Sequence, residues 1–503
     1  VEPWSIPILS SSAAARIPGV LLDFLASLSH RRQMPRTLVA LLSALLIVPT
    51  VAPGVASAQT PRQSTFHVAE GLRDRALKDD TAWTVLESLT TEIGPRLVGT
   101  PAMTRAKDWG LAKFESLGFS NIKVEPFSKA SWVRGAESAS ITGPYDFPLS
   151  ILGLGGTVPT PPKGIEAEVV VFPAYADLLA APKGSLTGKI AVVTQPMTRT
   201  QDGSGYGAAG VARRSGPSEA ARRGAIAFLT RSISTSDLRS PHTGQTRYAD
   251  DAPRIPAAAL GVPDAELIER LSRRGPVRLR LNLASTTSDK TLAWNISADI
   301  QGSTRADEVI VIGGHLDSWD VGTGAIDDAS GIAITTAAAK LIGDLPRRPA
   351  RTIRVVMWGS EESGGSSEAY AKEHKDRMGS FVVAGESDLG ADRIYALQLP
   401  AGALAAPALA DVPALMAPLK IIVSREPAPF AGSDTEGLQQ AGVPVLLLRQ
   451  DASRYFDLHH SPDDTLDKVD PEQLSQNVAA WAALLYVIAD SDVDFRALAQ
   501  ASK

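Results

Sequence analysis

The chain has 503 residues, a formal net charge of −5 and no cysteine. That length supports two or three domains around a large core, and the acidic balance excludes nucleic acid as a partner, which needs a basic face. Without cysteine there are no disulfides, thiolate metal sites or thiol nucleophiles, so any metal must be held by imidazole and carboxylate.

In chain order, residues 1–58 are an upstream extension and a leader. From Met34 a basic start, an apolar run over 38–48 and the small residues Val55-Ala56-Ser57-Ala58 pattern as a secretory signal cleaved after Ala58, which places the protein in the periplasm or outside the cell. The apolar run is too short for a permanent membrane anchor. Arg31-Arg32 leaves a twin-arginine signal as the rival export route.

Residues 59–134 read as the helical N-terminal part of the main domain, with Thr100 capping and Pro101 opening a helix over 102–117 that Gly118 closes. Glu92-Ile93-Gly94-Pro95-Arg96 reads as plain loop. Over 135–285 the texture turns glycine- and proline-rich with short β runs at 168–172, 189–193 and 225–229 and a short helix over 217–223, which describes an inserted β-rich module. His242 stands there beside Pro241 and reads as a surface residue. From 286 to 503 strands at 292–300, 308–314, 352–358, 381–385 and 443–448 alternate with helices at 330–341, 366–376, 434–441 and 471–489. This pattern predicts a three-layer α/β domain whose mixed, mostly parallel sheet is covered on both faces, with strand 292–300 as its antiparallel start.

The chemistry lies at the strand ends. Residues 309–331 read VIVIGGHLDSWDVGTGAIDDASG. The run ends in Gly313-Gly314, and His315 and Asp317, two apart in extended chain, share a face at the carboxyl end of the strand, where open α/β sheets hold ligands. Asp327-Asp328 then opens a helix; capping alone is the other reading of that pair. Later strands end in Glu361-Glu362, in Glu386-Ser387-Asp388, and in a loop with His459-His460. Adjacent Glu361 and Glu362 point to opposite sides, so one is suited to bind an ion while the other faces substrate. Two imidazoles and three carboxylates suit two Zn²⁺ ions bridged by one Asp, with the remaining Glu as general base.

The segments GGHLDSWDVGTGAIDDASG, WGSEESGG, ESD and HHSPDDT, in this order, resemble the zinc exopeptidases of the M28 family, most closely its carboxypeptidase Q-like and bacterial aminopeptidase branch. The insert resembles that branch's protease-associated domain. The resemblance implies that His315, Asp327 and Asp388 hold one zinc and Asp327, Glu362 and His460 the other, with Co²⁺ or Mn²⁺ as substitutes. It further implies Glu361 as general base, Asp317 as the acid orienting His315, a cis peptide at Asp327-Asp328, and peptides as substrates. His459 is proposed as an oxyanion donor, Asp464 as a brace of the His460 loop, and His374 as an exposed residue on a charged helix. The stretch 432–434 resembles a loop near the substrate pocket, though a helix N-cap explains Ser433 or Asp434 as well. A non-catalytic receptor-like binding protein and a glutaminyl cyclase-like enzyme are the alternatives on this scaffold. Whether the amino or the carboxyl terminus of a peptide is recognised stays open, as does a homodimer.

Overall fold

The computed structural model describes residues 61–502, and the leader expected over 34–58 lies outside them. Among the described residues no helix is long and apolar enough to cross a membrane. A mixed sheet runs through the molecule in the spatial order Phe381–Glu386, Arg305–His315, Arg351–Trp358, Arg278–Ile300, Ile165–Phe172, Ile190–Val193, Ala227–Arg231, Ala257–Leu260 and Ile151–Gly153. The first three strands are mutually parallel, and Arg278–Ile300 joins them antiparallel, as expected of 292–300.

Alternation along Arg305–His315 sorts its side chains onto two faces. Ile310 and Ile312 join the core built on helices Ser330–Gly343 and Pro471–Asp490, while Val309 and Val311 pack with Trp358, Tyr370 and Phe381 on the other side. Helix Ser330–Gly343 is apolar nearly all round because it is buried nearly all round. Pro471–Asp490 starts on Asp470, whose side chain accepts the free N–H groups of Glu472 and Gln473.

The insert has its own two-faced core. Ile190 and Val192 belong to one apolar cluster and Ala191 and Val193 to the other, so the strand is an unbroken apolar run, as strands buried on both faces are. Two long strands, Ser120–Gly143 and Arg278–Ile300, carry the chain between the end of the sheet that bears His315 and the insert. They pair antiparallel with Arg134 opposite Ser285, next to a register irregularity between Arg134 and Glu137. The change of texture expected at 135 and 285 therefore falls within two continuous strands.

Several expectations are corrected. The helical reading of 59–134 holds for Pro61–Ala76, Thr81–Ser88 and Pro101–Ser116, but from Ser120 onward the backbone is extended. This half-exposed ribbon buries few side chains, so its sequence carries little apolar alternation. The short helix placed at 217–223 is the end of Gly205–Ala221, which contains Pro217 in its interior. The strand at 443–448 is only Leu447–Gln450, which pairs with the unforeseen Ile394–Gln398 in a second, three-stranded sheet. His374 is buried, not exposed; its Nε2 lies 2.8 Å from Glu125 Oε1, and its ring rests 4.2 Å from that of Tyr370.

Candidate active site

Four loops at the carboxyl ends of the strands converge. His315 ends its strand with no exposed surface. Its Nδ1 lies 2.8 Å from the main-chain oxygen of Asp317. A carbonyl only accepts, so Nδ1 carries a proton, and Nε2 points inward, 2.9 Å from Asp327 Oδ1 and 3.4 Å from Asp388 Oδ1. A lone pair facing two carboxylates is repulsive unless a proton or a cation lies between them.

The other half mirrors this arrangement. His460 Nε2 lies 3.2 Å from Asp327 Oδ2 and 2.9 Å from Glu362 Oε2. The two oxygens of Asp327 are thus divided between two histidines, one oxygen to each. Glu362 is steadied through its second oxygen, which accepts the Trp319 N–H at 3.2 Å. Asp327 sits in the turn Ala325–Ala329, and its peptide bond to Asp328 is cis. The Asp328 carboxylate accepts the His315 and Gly331 N–H groups, tying this turn to the strand end.

The electrostatics are those of a cation site. Burial and neighbouring acids push Glu362 up to about 8 and Asp388 up to about 7, with the nearby imidazoles opposing both. Burial opposes protonation of His315 and His460, yet the acids around them hold both well above the ordinary imidazole range. Asp327 is held well below the carboxylate range against its burial, by the two histidines. Asp327 Oδ2 and Asp388 Oδ1 are buried and accept no hydrogen bond. Clustered acids and imidazoles of this kind fit divalent cations, which supply the missing positive charge. Potential ligand atoms converge in groups centred on His315, Asp327 and Glu362, on Asp327, His459 and His460, and on His315, Asp328 and Asp388.

Comparison with known proteins agrees with this geometry. Residues 295–485 match the model of Peptidase family M28. Carboxypeptidase Q of Homo sapiens is 37% identical over 409 residues, covering 81% of this chain and 85% of that protein. The chain belongs to peptidase family M28. As a member it is a hydrolase of the metallo-exopeptidase class. A crystal structure of a Peptidase M28 precursor from Shewanella amazonensis superposes with a TM-score of 0.84 at 43% identity, covering 86% of this chain and 98% of that one. A zinc aminopeptidase from Bacillus subtilis shares the fold at 17% identity and a TM-score of 0.59, covering 82% of this chain and 95% of that one.

In this M28 peptidase the residues singled out in the sequence, His315, Asp317, Asp327, Glu361, Glu362, Asp388, His459 and His460, all come together, with two changes of detail. The group that holds the His315 ring is the carbonyl of Asp317; the Asp317 carboxylate stands 3.7 Å from Nδ1 and instead accepts the Glu361 N–H at 2.9 Å. His459 stacks on His460 at 3.5 Å between centroids, with its Nε2 3.5 Å from Asp327 Oδ2, and burial holds it neutral, well below the usual imidazole range.

Sequence reasoning also missed several supports. His242 is buried, not on the surface, and its Nδ1 donates to the His459 carbonyl at 2.6 Å. The adjacent Thr243 N–H donates to the His460 carbonyl at 2.9 Å, and His460 Nδ1 lies 3.4 Å from the Thr243 carbonyl. The insert therefore braces the His460 loop, where His460 itself has a φ of 61°. Arg96, in the stretch read as plain loop, is wholly buried and donates to the carbonyls of Leu316, Thr323 and Gly324, fixing the segment between His315 and Asp327. Asp464, which the sequence did single out as a brace of the His460 loop, joins that loop to the Asp327 turn: its N–H donates to the Ser461 carbonyl at 3.2 Å and its carboxylate accepts the Ile326 N–H at 2.6 Å. Asp434 is not a helix cap: it is wholly buried near Glu386, and it is Thr435 whose N–H reaches Glu386 Oε2, at 2.8 Å.

Proposed function

We propose that the chain is an exported exopeptidase that hydrolyses short unblocked peptides with two Zn²⁺ ions, His315, Asp327 and Asp388 holding one and Asp327, Glu362 and His460 the other. The observation that carries this reading is the division of the Asp327 oxygens, Oδ1 toward His315 at 2.9 Å and Oδ2 toward His460 at 3.2 Å. When bound, the cations supply Lewis acidity toward the scissile carbonyl and lower the pKa of water toward about 7.

The chain's own residues divide the remaining work. Glu361 lines the cleft with its main chain tied to Asp317, and as general base it takes a proton from the attacking water and hands it to the departing amine. Lys129 holds the loop that carries Glu361, donating to Ser360 Oγ at 2.5 Å and to the Gly364 carbonyl at 2.6 Å. His459 faces the same cleft and donates to the oxygen that gains charge as the carbonyl is attacked. The Shewanella relative, alike over most of both chains, supports one shared architecture, and we read the insert as a protease-associated domain. The leader over 34–58 is the basis for the exported location.

Asp327→Asn, assayed for metal content by mass spectrometry and for dipeptide hydrolysis, tests the reading. Loss of at least one ion per chain with turnover reduced by about 10³-fold or more is expected, since the residue serves both ions. Unchanged metal content and rate would overturn it.

A further inference from the structure

Trp319 lies on the loop between His315 and Asp327 and is only 4% exposed. We propose that Trp319 couples the seating of the insert to retention of the cation assigned to Asp327, Glu362 and His460. This ion, and not the one assigned to His315, Asp327 and Asp388, is then under the control of the insert. The proposal rests on the two-ion reading above and adds the regulation of one of its sites.

Two side chains assigned to that ion meet Trp319. Its main-chain N–H donates to Glu362 Oε1 at 3.2 Å, which leaves Oε2 to face His460 at 2.9 Å. Its ring stands edge-on to the His460 imidazole, 5.6 Å between centroids. Among the described residues no hydrogen bond or ring contact joins Trp319 to His315 or Asp388, which are held by other groups. A carboxylate fixed through one oxygen and an imidazole fixed by its edge are aimed before an ion arrives, so less freedom is lost on binding.

The far side of the indole belongs to the insert. Gly155 leaves a notch for it: a Cβ there would overlap Cη2 of the Trp319 ring and fall 2.7 Å from Cζ3. Gly155 is itself held within the insert, its N–H donating to the Gly244 carbonyl at 3.1 Å and its carbonyl accepting the Thr246 N–H at 2.9 Å. The next residue of the loop is tied to the same segment. Arg134 Nε donates to Asp320 Oδ2 at 2.9 Å, and its Nη1 donates to the Gly153 carbonyl at 2.7 Å. Trp132 of the connecting ribbon stands edge-on to Trp319 at 6.4 Å and donates its Nε1 to the Thr157 carbonyl at 2.9 Å.

The size of the ring carries the inference furthest. Trp319 Nε1 is buried and has no hydrogen-bond partner, and an unmet buried donor is a cost that phenylalanine would not incur. What the indole has over a smaller ring is span: it meets His460 while its outer edge fills the Gly155 notch. A close-packed interior has no slack, so displacement of the segment around Gly155 is passed through the ring to the imidazole.

The test titrates the metal-depleted full chain with Zn²⁺ by calorimetry, the relevant step being the one that Glu362→Gln abolishes. Gly155→Ala alters no ligand, yet it is expected to weaken that step by about 10- to 100-fold and to change the other by less than about 2-fold. Trp319→Phe keeps an aromatic edge toward His460 but loses the span, and should weaken the same step by roughly 3- to 10-fold. In the double variant the smaller ring accommodates the added methyl group, so the step should return to the Trp319→Phe level, the two losses failing to add. Additive losses would overturn the proposal, because the insert would then act on the site by another route, such as Thr243. Equal weakening of both steps, or no weakening by either single variant, would overturn it as well. If Gly155→Ala does not fold, Trp319→Leu decides: a loss of about 10-fold or more confined to the one step is expected, and an equal loss on both overturns the proposal. A wild type that takes up a single Zn²⁺ would defeat the two-ion reading itself, and this one with it.

Discussion

The two histidine-bearing halves of the candidate metal site are built differently. His315 is fixed by its own neighbourhood: it ends a buried strand, and its Nδ1 donates to a carbonyl two residues away. His460 is fixed from 217 residues away, by Thr243 of the insert, while His242 holds the preceding residue. The first histidine is held by its own stretch of sequence; the second is held by a segment of the insert that packs against its loop. Similar donor sets can therefore rest on supports of very different origin.

Three experiments sharpen this contrast. The largest effect is expected at the point both halves serve: Glu361→Gln should reduce turnover by about 10²- to 10⁴-fold while isothermal titration shows cation binding unchanged. Loss of a cation instead would place Glu361 among the ligands. Next, His242→Phe should weaken one of two cation-binding steps by about 10- to 100-fold, the usual cost of losing an outer hydrogen bond to a ligand loop, and leave the other unaltered. Equal weakening of both would erase the distinction between the halves. The same variant has a signature in acid. Burial lowers the wild-type His242 to about 4, below its unfolded value of about 6.5. The unfolded chain therefore binds a proton that the fold excludes, and stability is lost as pH falls from 6.5 toward 4, by about 3 kcal/mol in all. Urea titrations should show this limb flattened in His242→Phe.

The smallest effect concerns the chelated protein. Burial raises Glu362 to about 8 and Asp388 to about 7, above their unfolded values of roughly 4. A raised carboxyl contributes stability at low pH and loses it as pH climbs through the folded value. Chelated protein should then lose several degrees of Tm between pH 6 and 9, a loss that zinc removes by pairing with the ionised acids. Scanning calorimetry with and without chelator measures the difference, and parallel curves would contradict it.

The contrast also explains what could be read in advance. His315, Asp327, the two glutamates and Asp388 were legible because each follows a buried apolar strand or opens a buried helix, and period and polarity change sharply there. The His459-His460 pair was legible as a motif, but its brace was not: beside Pro241, His242 offers no local pattern, and its burial arises from packing against a distant loop. Arg96 was passed over for the same reason, since its partners are carbonyls more than 200 positions away. The ribbon from Ser120 was misjudged because a half-exposed pair of strands needs little apolar alternation.

The joining of the insert to the sheet by Ser120–Gly143 and Arg278–Ile300 has an evolutionary consequence. On the proposed reading, a module that lines the cleft and props up a candidate ligand histidine is not an accessory to be traded among enzymes like a cassette. Exchange it for a cousin's, and the recipient inherits a new appetite together with a partly rebuilt reaction centre, so drift in one must be answered by drift in the other.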